Sequence, residues 1–342
     1  MATPTDPNSD DGSQTWQSGQ QRLARLRLIA VIGWTLWYWV WASPTLVAAG
    51  WLKTAVYLGV GTSIWAAFAV QIDYVLPRRL GILRRPFMPW LGQRLKAVAF
   101  EAVFLAAAAG PLPWAMRQWP HHWWLPITIW LAGLWLAWTW ALPSLVLPRL
   151  MRTEALPDDS LKESVRTLVQ AFGLAVEVRV WHVSDGSASM QAATVGLGST
   201  RRILVTDTLL AGCEPDEVIG IIAHELAHLA SHDLLRRGMA TIVAMGLVLA
   251  TAALLETGTL LDLSGLVVAV TVSVGWYFRY LRQLEFAADG RAVAATGNGW
   301  AYGNALRKVA NANRESHAPG PDSFCQMHPA LPVRLRRLGL EE

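Results

Sequence analysis

Six long apolar segments constrain this 342-residue chain more than any other feature. A helix needs about 20 mainly apolar residues to cross the hydrocarbon core of a bilayer, and each segment is close to that length. Only 16% of the residues are charged, whereas soluble domains usually carry about 25%. The sequence therefore predicts an integral membrane protein that is mainly α-helical, with about six spans near 28–50, 54–76, 97–118, 124–147, 238–257 and 261–281.

The basic residues predict how these spans are oriented. Lys and Arg concentrate in the cytoplasmic loops of membrane proteins, and here they alternate between the two sides of the predicted bundle. One side offers only Lys53 and Arg117. We therefore expect both termini and the region 148–237 in the cytoplasm. The size of the chain, its acidic polar tail and the lack of a retention signal favour a bacterial plasma membrane. The other side carries Arg22, Arg25, Arg27, Arg78, Arg79, Arg84, Arg85, Arg94, Lys96, Arg149, Arg152, Arg236 and Arg237.

The region 148–237 has the periodicities of a small folded α+β domain. The segment "SLKE" (160–163) has the capping-box pattern, apolar residues follow it at helical spacing, and Gly173 fits the C-cap. Alternating residues in "AVEVRVWHV", "MQAATVG" and "RRILVTD" predict three short strands. A further helix is expected to begin at "CEPDEVIG", where Pro215 suits the first turn.

That last helix carries the motif H-E-x-x-H, formed by His224, Glu225 and His228. Residues four apart share a helical face, so both imidazoles can reach one metal ion. Zinc lowers the pKa of a bound water to about 7, and the neighbouring carboxylate of Glu225 can then take its proton. A pattern of three fixed positions also arises by chance, but its place in a folded, acid-capped helix favours a zinc hydrolase.

A catalytic zinc ion usually has three protein ligands, and two residues compete for the third position. His232 lies on roughly the same face, but three residues at intervals of four span about 12 Å of helix, too far for one ion. Glu285, where the sixth span ends, is the better candidate. Asp289, one turn further, is placed to hydrogen-bond a zinc-bound histidine. The alternative for both acids is a solvated helix face, which their apolar neighbours disfavour.

These motifs together resemble one family. HELAH, Glu285-x-x-x-Asp289 and "HPALPVR" (328–334) are similar to the integral-membrane zinc metallopeptidases that include type I CAAX prenyl endopeptidase and the HtpX-type proteases. The segment "GLGSTRRILVTDTLL" (196–210) resembles the CAAX branch more closely. The resemblance, over roughly 70–340, implies a gluzincin-like catalytic domain. It also implies one Zn²⁺ per chain, bound by His224, His228 and Glu285, with Glu225 as the general base.

The resemblance assigns further residues to the cleft. His328 and Arg334 would line it and stabilise the oxyanion or hold the substrate backbone, although Arg334 also fits a contact with anionic lipid. Gln191 and Ala192 stand where the family typically has Asn-Ala on the strand that binds the substrate backbone. Gln reaches one methylene further, which leaves substrate preference open. Asp233 is similar to the HtpX branch instead.

The combined expectation is a membrane-embedded zinc endopeptidase of the CAAX-protease type, acting on peptide or membrane-protein substrates at the cytoplasmic membrane face. The alternatives are an HtpX-like quality-control protease, a non-catalytic zinc-binding scaffold and a metal transporter. Glu225 disfavours the scaffold, because a structural zinc site needs no base. No nucleic-acid partner is expected, and the sequence indicates neither the oligomeric state nor whether prenylated substrates are used.

Five parts are predicted along the chain. They are a disordered tail (1–25), a four-span bundle (26–148), a cytoplasmic domain with the H-E-x-x-H helix (149–237), a transmembrane hairpin (238–282) and a C-terminal catalytic segment (283–342).

Overall fold

The computed structural model of the chain describes residues 22–23, 26, 29–30, 60, 63–64, 66–254, 260–313 and 329–340. Most of the predicted tail, the span near 28–50, much of the span near 54–76 and His328 lie outside the described residues. Within these residues the protein is mainly helical and contains a four-stranded sheet.

The first half of the described chain is dominated by apolar helices. A π-helical segment, Gln71–Val75, leads into the short α1 (Leu76–Arg79), and a second one, Leu142–Val146, connects α4 (Trp124–Ala141) to α5 (Leu147–Leu150). The loop after α1 and the loop 185–188 belong to one compact unit, in which Leu83 and Ser187 form an antiparallel bridge. The helices are α1 (Leu76–Arg79), α2 (Phe87–Ala109), α3 (Leu112–Gln118), α4 (Trp124–Ala141) and α5 (Leu147–Leu150).

The second half contains the sheet and the helices that pack on it. Its strands are β1 (Thr153–Ala155), β2 (Glu177–Trp181), β3 (Ala192–Val195) and β4 (Arg202–Thr206). Its helices are α6 (Asp159–Ala171), α7 (Asp207–Gly212), α8 (Pro215–Ala230), α9 (Asp233–Leu254), α10 (Leu260–Thr296), α11 (Gly299–Ala312) and α12 (Leu331–Arg337).

Four helical stretches of the described chain are long and apolar enough to cross a membrane. They coincide with the four later predicted spans, near 97–118, 124–147, 238–257 and 261–281. Few of their residues are buried, and α2 has no buried residue. Helices α9 and α4 approach closely, since a Cβ at Gly238 would lie 2.1 Å from the Trp135 ring. The stretches are Phe87–Gln118, Trp124–Arg149, Asp233–Leu254 and Ser264–Thr296.

The sheet has the strand order β1-β2-β4-β3. Strands β2 and β4 are parallel, while β1 and β3 pair antiparallel with their neighbours. The three predicted strands are therefore confirmed as β2, β3 and β4, whereas β1 was not predicted. Strand β3 lies at an edge of the sheet, with β4 as its partner.

The start of α6 differs from its prediction. The carboxylate of Asp158 accepts hydrogen bonds from the amides of Ser160 and Leu161 at 2.8 and 3.4 Å, so Asp158 is the N-cap. The predicted capping box at Ser160 is wrong, because a better acceptor two residues earlier already satisfies the first turn. The C-cap prediction is confirmed, since Gly173 adopts the left-handed conformation with φ 65°.

Helix α8 is the most enclosed element of the described chain. Twelve of its 16 residues are buried, and it packs against α10 and the sheet. At its first turn the Glu217 carboxylate accepts from the Glu214 amide at 2.7 Å, which closes a capping box. Glu217 also accepts from Lys308 Nζ at 2.7 Å and from Asn304, both on α11. These bonds fix the helix that carries the H-E-x-x-H motif.

Helix α10 combines two environments along 37 residues. Its first half exposes valines such as Val268 and Val272, at 60% and 65%. From Leu281 onward one face is buried and packs against α8. This second half carries Glu285 and Asp289.

Candidate active site

Two histidines of α8 and one glutamate of α10 converge on a small buried volume. The Nε2 atoms of His224 and His228 lie 3.1 Å apart. Glu285 places Oε1 3.4 Å from His228 Nε2 and Oε2 3.6 Å from His224 Nε2. The exposed fraction of all three side chains is 8% or less.

This donor set fits a zinc ion. Zinc bonds to imidazole nitrogen and carboxylate oxygen are about 2.0–2.2 Å long, so ligand atoms of a tetrahedral site lie about 3.3–3.6 Å from each other. The three separations of 3.1, 3.4 and 3.6 Å are close to that spacing. The described residues thus bring together three groups that could hold one metal ion.

A buried polar network contacts His224 at Nδ1, the ring nitrogen that faces away from the cluster. Its Nδ1 lies 3.0 Å from Asp289 Oδ1 and 2.9 Å from the Tyr302 hydroxyl. The Tyr302 hydroxyl donates to Asp289 Oδ1 at 2.7 Å. With Nδ1–H donating to the carboxylate, the lone pair on Nε2 faces the cluster, as a metal ligand requires.

Arg334 completes this network. Its guanidinium donates to both oxygens of Asp289, at 2.9 Å from Nε and 2.6 Å from Nη2. The same Nη2 lies 2.9 Å from the Tyr302 hydroxyl. Such a two-point contact fixes the carboxylate in its plane. Burial alone would lower the pKa of Arg334, but Tyr302 and Asp289 raise that pKa, so the charge persists.

His228 is supported by a carboxylate close in sequence. Its Nδ1 lies 2.8 Å from Asp233 Oδ2, at the start of α9. Burial disfavours the charged imidazole, but hydrogen bonds to Asp233 and Glu285 outweigh it and raise the pKa of His228 to about 9. A metal ion at Nε2 would compete with that proton. Both histidines therefore use Nδ1 for a carboxylate and direct Nε2 to the cluster.

Arg237, on the first turns of α9, is a second cation at the cluster. Its guanidinium donates to Glu285 Oε1 and lies 3.5 Å from both ring nitrogens of His228. The side chain is 27% exposed, whereas Glu285 is 1% exposed. The arginine therefore balances the charge of a carboxylate that has almost no access to water.

A cavity of about 180 Å³ opens onto the cluster. Glu225, which is buried, lines it beside both histidines and Glu285, and so does Ala192 on the edge strand. Gln191 precedes β3 and is exposed. Its backbone amide donates to Thr206 Oγ1 at 3.0 Å, and its carbonyl accepts from the Thr206 amide at 2.9 Å.

Two of the remaining candidates lie away from the cluster. Arg334 sits behind His224 and is not among the residues that line the 180 Å³ cavity. His232 follows the end of α8 with φ 54°, so it does not continue the helical face of His224 and His228, on which the sequence had placed it. His328 lies outside the described residues. The cleft roles of His328 and Arg334 stay predictions.

The sequence of the catalytic half decides the family. The family described as "Peptidase family M48" matches residues 155–341, more than half of the chain. The chain belongs to peptidase family M48. This matched region of the M48 peptidase contains the described metal cluster and its supporting residues, and the expected family of membrane zinc metallopeptidases is confirmed.

A solved structure supports the same fold for the M48 peptidase. The crystal structure of S. mikatae Ste24p is similar to it with a TM-score of 0.75 at 18% sequence identity, over 96% of this chain and 88% of that chain. No curated protein sequence matches the chain.

The sequence assigns no role to three residues that contact the metal cluster. Asp233, five residues after His228, only resembles the HtpX pattern. Arg237 was counted only among the basic residues that orient the spans. Tyr302 has no local signal, since "WAYGNA" is an ordinary helical sequence; its contact with His224 depends on how α11 packs.

Proposed function

We propose that this M48 peptidase is a membrane-embedded, CAAX-protease-like zinc endopeptidase with one Zn²⁺ per chain. His224, His228 and Glu285 would hold the ion and Glu225 would act as general base. The observation that carries the proposal is the convergence of two imidazole nitrogens, 3.1 Å apart, with the two oxygens of the Glu285 carboxylate, each 3.4 or 3.6 Å from one of those nitrogens, in a cavity that Glu225 also lines. A structural metal site would be closed and would need no free carboxylate.

Zinc would supply Lewis-acid chemistry, which lowers the pKa of water and polarises the scissile carbonyl. The Glu225 carboxylate would accept one proton as the water oxygen adds to the carbonyl carbon. The carbon–nitrogen bond then breaks, and Glu225 returns that proton to the leaving amine. Asp289 and Asp233 would keep the two imidazoles in the tautomer that presents Nε2.

The substrate would lie along the free edge of β3. An extended peptide can add a strand to an exposed sheet edge through backbone hydrogen bonds. Ala192, Ala193 and Thr194 of β3 line the same cavity as Glu225, which supports this placement. Gln191, at the start of the edge, would hold the substrate backbone through its amide side chain.

His328 and Arg334 have different support. For His328 we keep the role of a cleft donor to the developing oxyanion. For Arg334, the two bonds to Asp289 favour a positioning role through Asp289 and His224 over a direct contact with substrate.

A CAAX-like rather than HtpX-like enzyme is favoured by the likeness to Ste24p over nearly the whole chain. The contact between Asp233 and His228 is the feature that resembles the HtpX branch, so quality-control degradation remains the second candidate. We place the site at the cytoplasmic face of the membrane, from the distribution of Lys and Arg.

The decisive experiment compares purified wild type with Glu225→Gln on membrane-protein, lipidated-peptide and unmodified-peptide substrates. Wild type should contain about one zinc per chain, as a three-ligand site predicts, and should cleave; Glu225→Gln should keep its zinc and lose cleavage. Glu163→Gln, at an exposed position on α6, is the matched control and should behave as wild type.

Two outcomes would contradict the proposal. Zinc-loaded wild type that cleaves nothing on the broad panel would favour the scaffold. Equal cleavage by wild type and Glu225→Gln would show that another group is the base.

A further inference from the structure

Arg237 is a residue of the candidate active site to which the proposed function gives no role. It lies on the first turns of α9 and lines the cavity of about 180 Å³ together with Glu225 and Ala192. Its Nη2 is 3.5 Å from His228 Nε2, the ring nitrogen that faces the cluster. The guanidinium is therefore beside the point where the candidate metal ligands converge.

The charges around this cavity leave few groups that could stabilise a negatively charged oxygen. Among the described residues, three carboxylates line the cavity, those of Glu225, Asp233 and Glu285. A carboxylate repels a developing oxyanion, whereas a positioned cation or hydrogen-bond donor stabilises it. Apart from a zinc ion in the cluster, Arg237 is the only permanent cation in the described lining.

The hydrogen bonds of Arg237 leave part of its guanidinium free for a substrate. Nη2 donates to Glu285 Oε1, whereas Nε is buried and has no hydrogen-bond partner among the described residues. Nη1 likewise makes no hydrogen bond to a described residue. The side chain is 27% exposed and lines the cavity, so a substrate can reach it. An incompletely bonded cation here is explained by a bond that forms only when substrate is present.

Arg334, the arginine that the family resemblance assigns to the cleft, is placed differently. Its Nε and Nη2 both donate to Asp289, and its side chain is 13% exposed. It is not among the residues that line the 180 Å³ cavity. Of these two arginines, Arg237 is therefore the one that can contact an oxygen in the cavity.

We propose that Arg237 is a catalytic residue that donates a hydrogen bond to the carbonyl oxygen of the scissile bond as negative charge develops there. As the water oxygen adds to the carbonyl carbon, the π electrons move to the carbonyl oxygen, and Arg237 stabilises them without transferring a proton. When the carbon–nitrogen bond breaks, that electron pair re-forms the carbonyl. Glu285 would hold the guanidinium in place. This inference rests on the proposed function and adds a residue to it.

The first test compares zinc-loaded wild type with Arg237→Gln and Arg237→Lys on the peptide substrates. Arg237→Gln should lower kcat about 100- to 1,000-fold, the usual effect of losing one oxyanion donor, and change KM less than about threefold. Arg237→Lys keeps the charge and should recover at least about tenfold in kcat. Arg166→Gln, 69% exposed on α6, is the control and should keep wild-type kcat/KM. An unchanged kcat in Arg237→Gln would overturn the proposal.

Zinc binding separates a catalytic role from a purely structural one, because Arg237 also contacts the candidate ligand Glu285. If Arg237 only positions Glu285, Arg237→Gln should bind zinc more weakly, and excess zinc should restore kcat. If Arg237 is a catalytic donor, kcat should stay low in protein that carries the wild-type amount of zinc. Restoration of kcat by zinc would therefore refute the catalytic role.

Equilibrium binding of a phosphinic peptide provides a measurement without turnover. Its tetrahedral, negatively charged phosphinate resembles the hydrolysis intermediate, whereas the unmodified peptide of the same sequence resembles the substrate. Zinc-loaded Arg237→Gln should bind the phosphinic peptide about 100-fold more weakly than zinc-loaded wild type. In a Glu225→Gln background, the same substitution should change the affinity for the unmodified peptide less than about threefold.

The binding results also distinguish this proposal from the proposed function. If wild type cleaves nothing, the proposed function fails, but a loss of affinity confined to the phosphinic peptide still supports Arg237 as the donor. An equal loss for both peptides, equal phosphinate binding by wild type and Arg237→Gln, or no phosphinate binding by wild type would each overturn the role of Arg237.

Discussion

The two histidines of the cluster are one helical turn apart, yet they are supported in opposite ways. His228 relies on Asp233, which is five residues away along the chain. His224 relies on Asp289, Tyr302 and Arg334, which come from three different helices. One side of the metal cluster is therefore built locally, while the other exists only when α10, α11 and α12 have packed together.

The two sides also differ in what a single substitution leaves behind. On the His224 side, Arg334 and Asp289 form a nearly buried ion pair, 13% and 2% exposed. Removing one member of such a pair leaves an unpaired charge away from water. On the His228 side, Asp233 has Arg236 within 3.6 Å as a half-exposed second partner. We therefore expect substitutions on the His224 side to lower zinc affinity and stability more than substitutions on the His228 side.

The largest effect should come from Glu285, the residue that joins both sides. Glu285→Ala removes one of the three candidate metal ligands and leaves Arg237 without its carboxylate partner. Loss of a residue that only hydrogen-bonds a metal ligand lowers metal affinity about 10- to 100-fold. Loss of the ligand Glu285 itself should lower zinc affinity by more than that. Chelator competition measures this, and His232→Ala is the control that should keep wild-type affinity. The reverse pattern would reassign the third ligand.

The next effect should be on stability. Arg334→Met leaves the Asp289 carboxylate buried without its cation, and we expect a loss of about 3–5 kcal/mol in the free energy of unfolding. Arg336→Met, exposed on the same helix α12, should change it by no more than about 1 kcal/mol. Denaturant titration in detergent provides the measurement. Equal stability of the two variants would mean that the Asp289 network is not a structural support.

A matched pair of substitutions compares the two sides directly. Asp233→Asn and Asp289→Asn each replace the carboxylate that accepts from a histidine Nδ1, so zinc affinity should fall about 10- to 100-fold in each. We expect the larger loss for Asp289→Asn, because Arg334 and Tyr302 lose their partner as well. A larger loss for Asp233→Asn would reverse the comparison.

The smallest effect should come from Tyr302→Phe. The substitution keeps the buried ring and removes the hydroxyl that donates to Asp289. His224, Asp289 and Arg334 then each lose one neutral hydrogen-bond partner, and we expect a cost of about 1–3 kcal/mol of stability. Zinc affinity should fall less than tenfold, less than in Asp289→Asn, because the carboxylate itself remains. An undiminished free energy of unfolding would show that the hydroxyl is dispensable.

The contrast between the two sides explains how much of the site could be predicted. His224, Glu225 and His228 follow from helical spacing, and the rise per residue excluded His232. Glu285 required only the expectation that a span ends near the cytoplasmic domain. These residues are all brought together by the structure. Their roles in zinc binding and catalysis remain predictions.

The long-range half could not be predicted in the same way. Tyr302 and the bonds of Arg334 depend on the angles at which α11 and α12 pack, and no local pattern encodes those angles. For the fold, hydropathy located the apolar parts of the helices and alternation located β2, β3 and β4. Hydropathy placed the end of the last span near 281, whereas α10 continues to Thr296. Hydropathy detects apolar segments and does not detect where a helix ends. The span orientations and domain boundaries remain predictions.

Helix α10 joins a stretch that is long and apolar enough to cross a membrane to the candidate metal site. Its 37 residues contain no proline, and at 1.5 Å per residue they form a continuous rod about 55 Å long. Because the helix is continuous, we expect a thinner or thicker bilayer that changes the tilt of its apolar first half to displace Glu285 in its second half. The acyl-chain length of the surrounding lipid should therefore affect the candidate metal site. Measuring zinc affinity in bilayers of different thickness would show how strongly the tilt of α10 affects the candidate metal site.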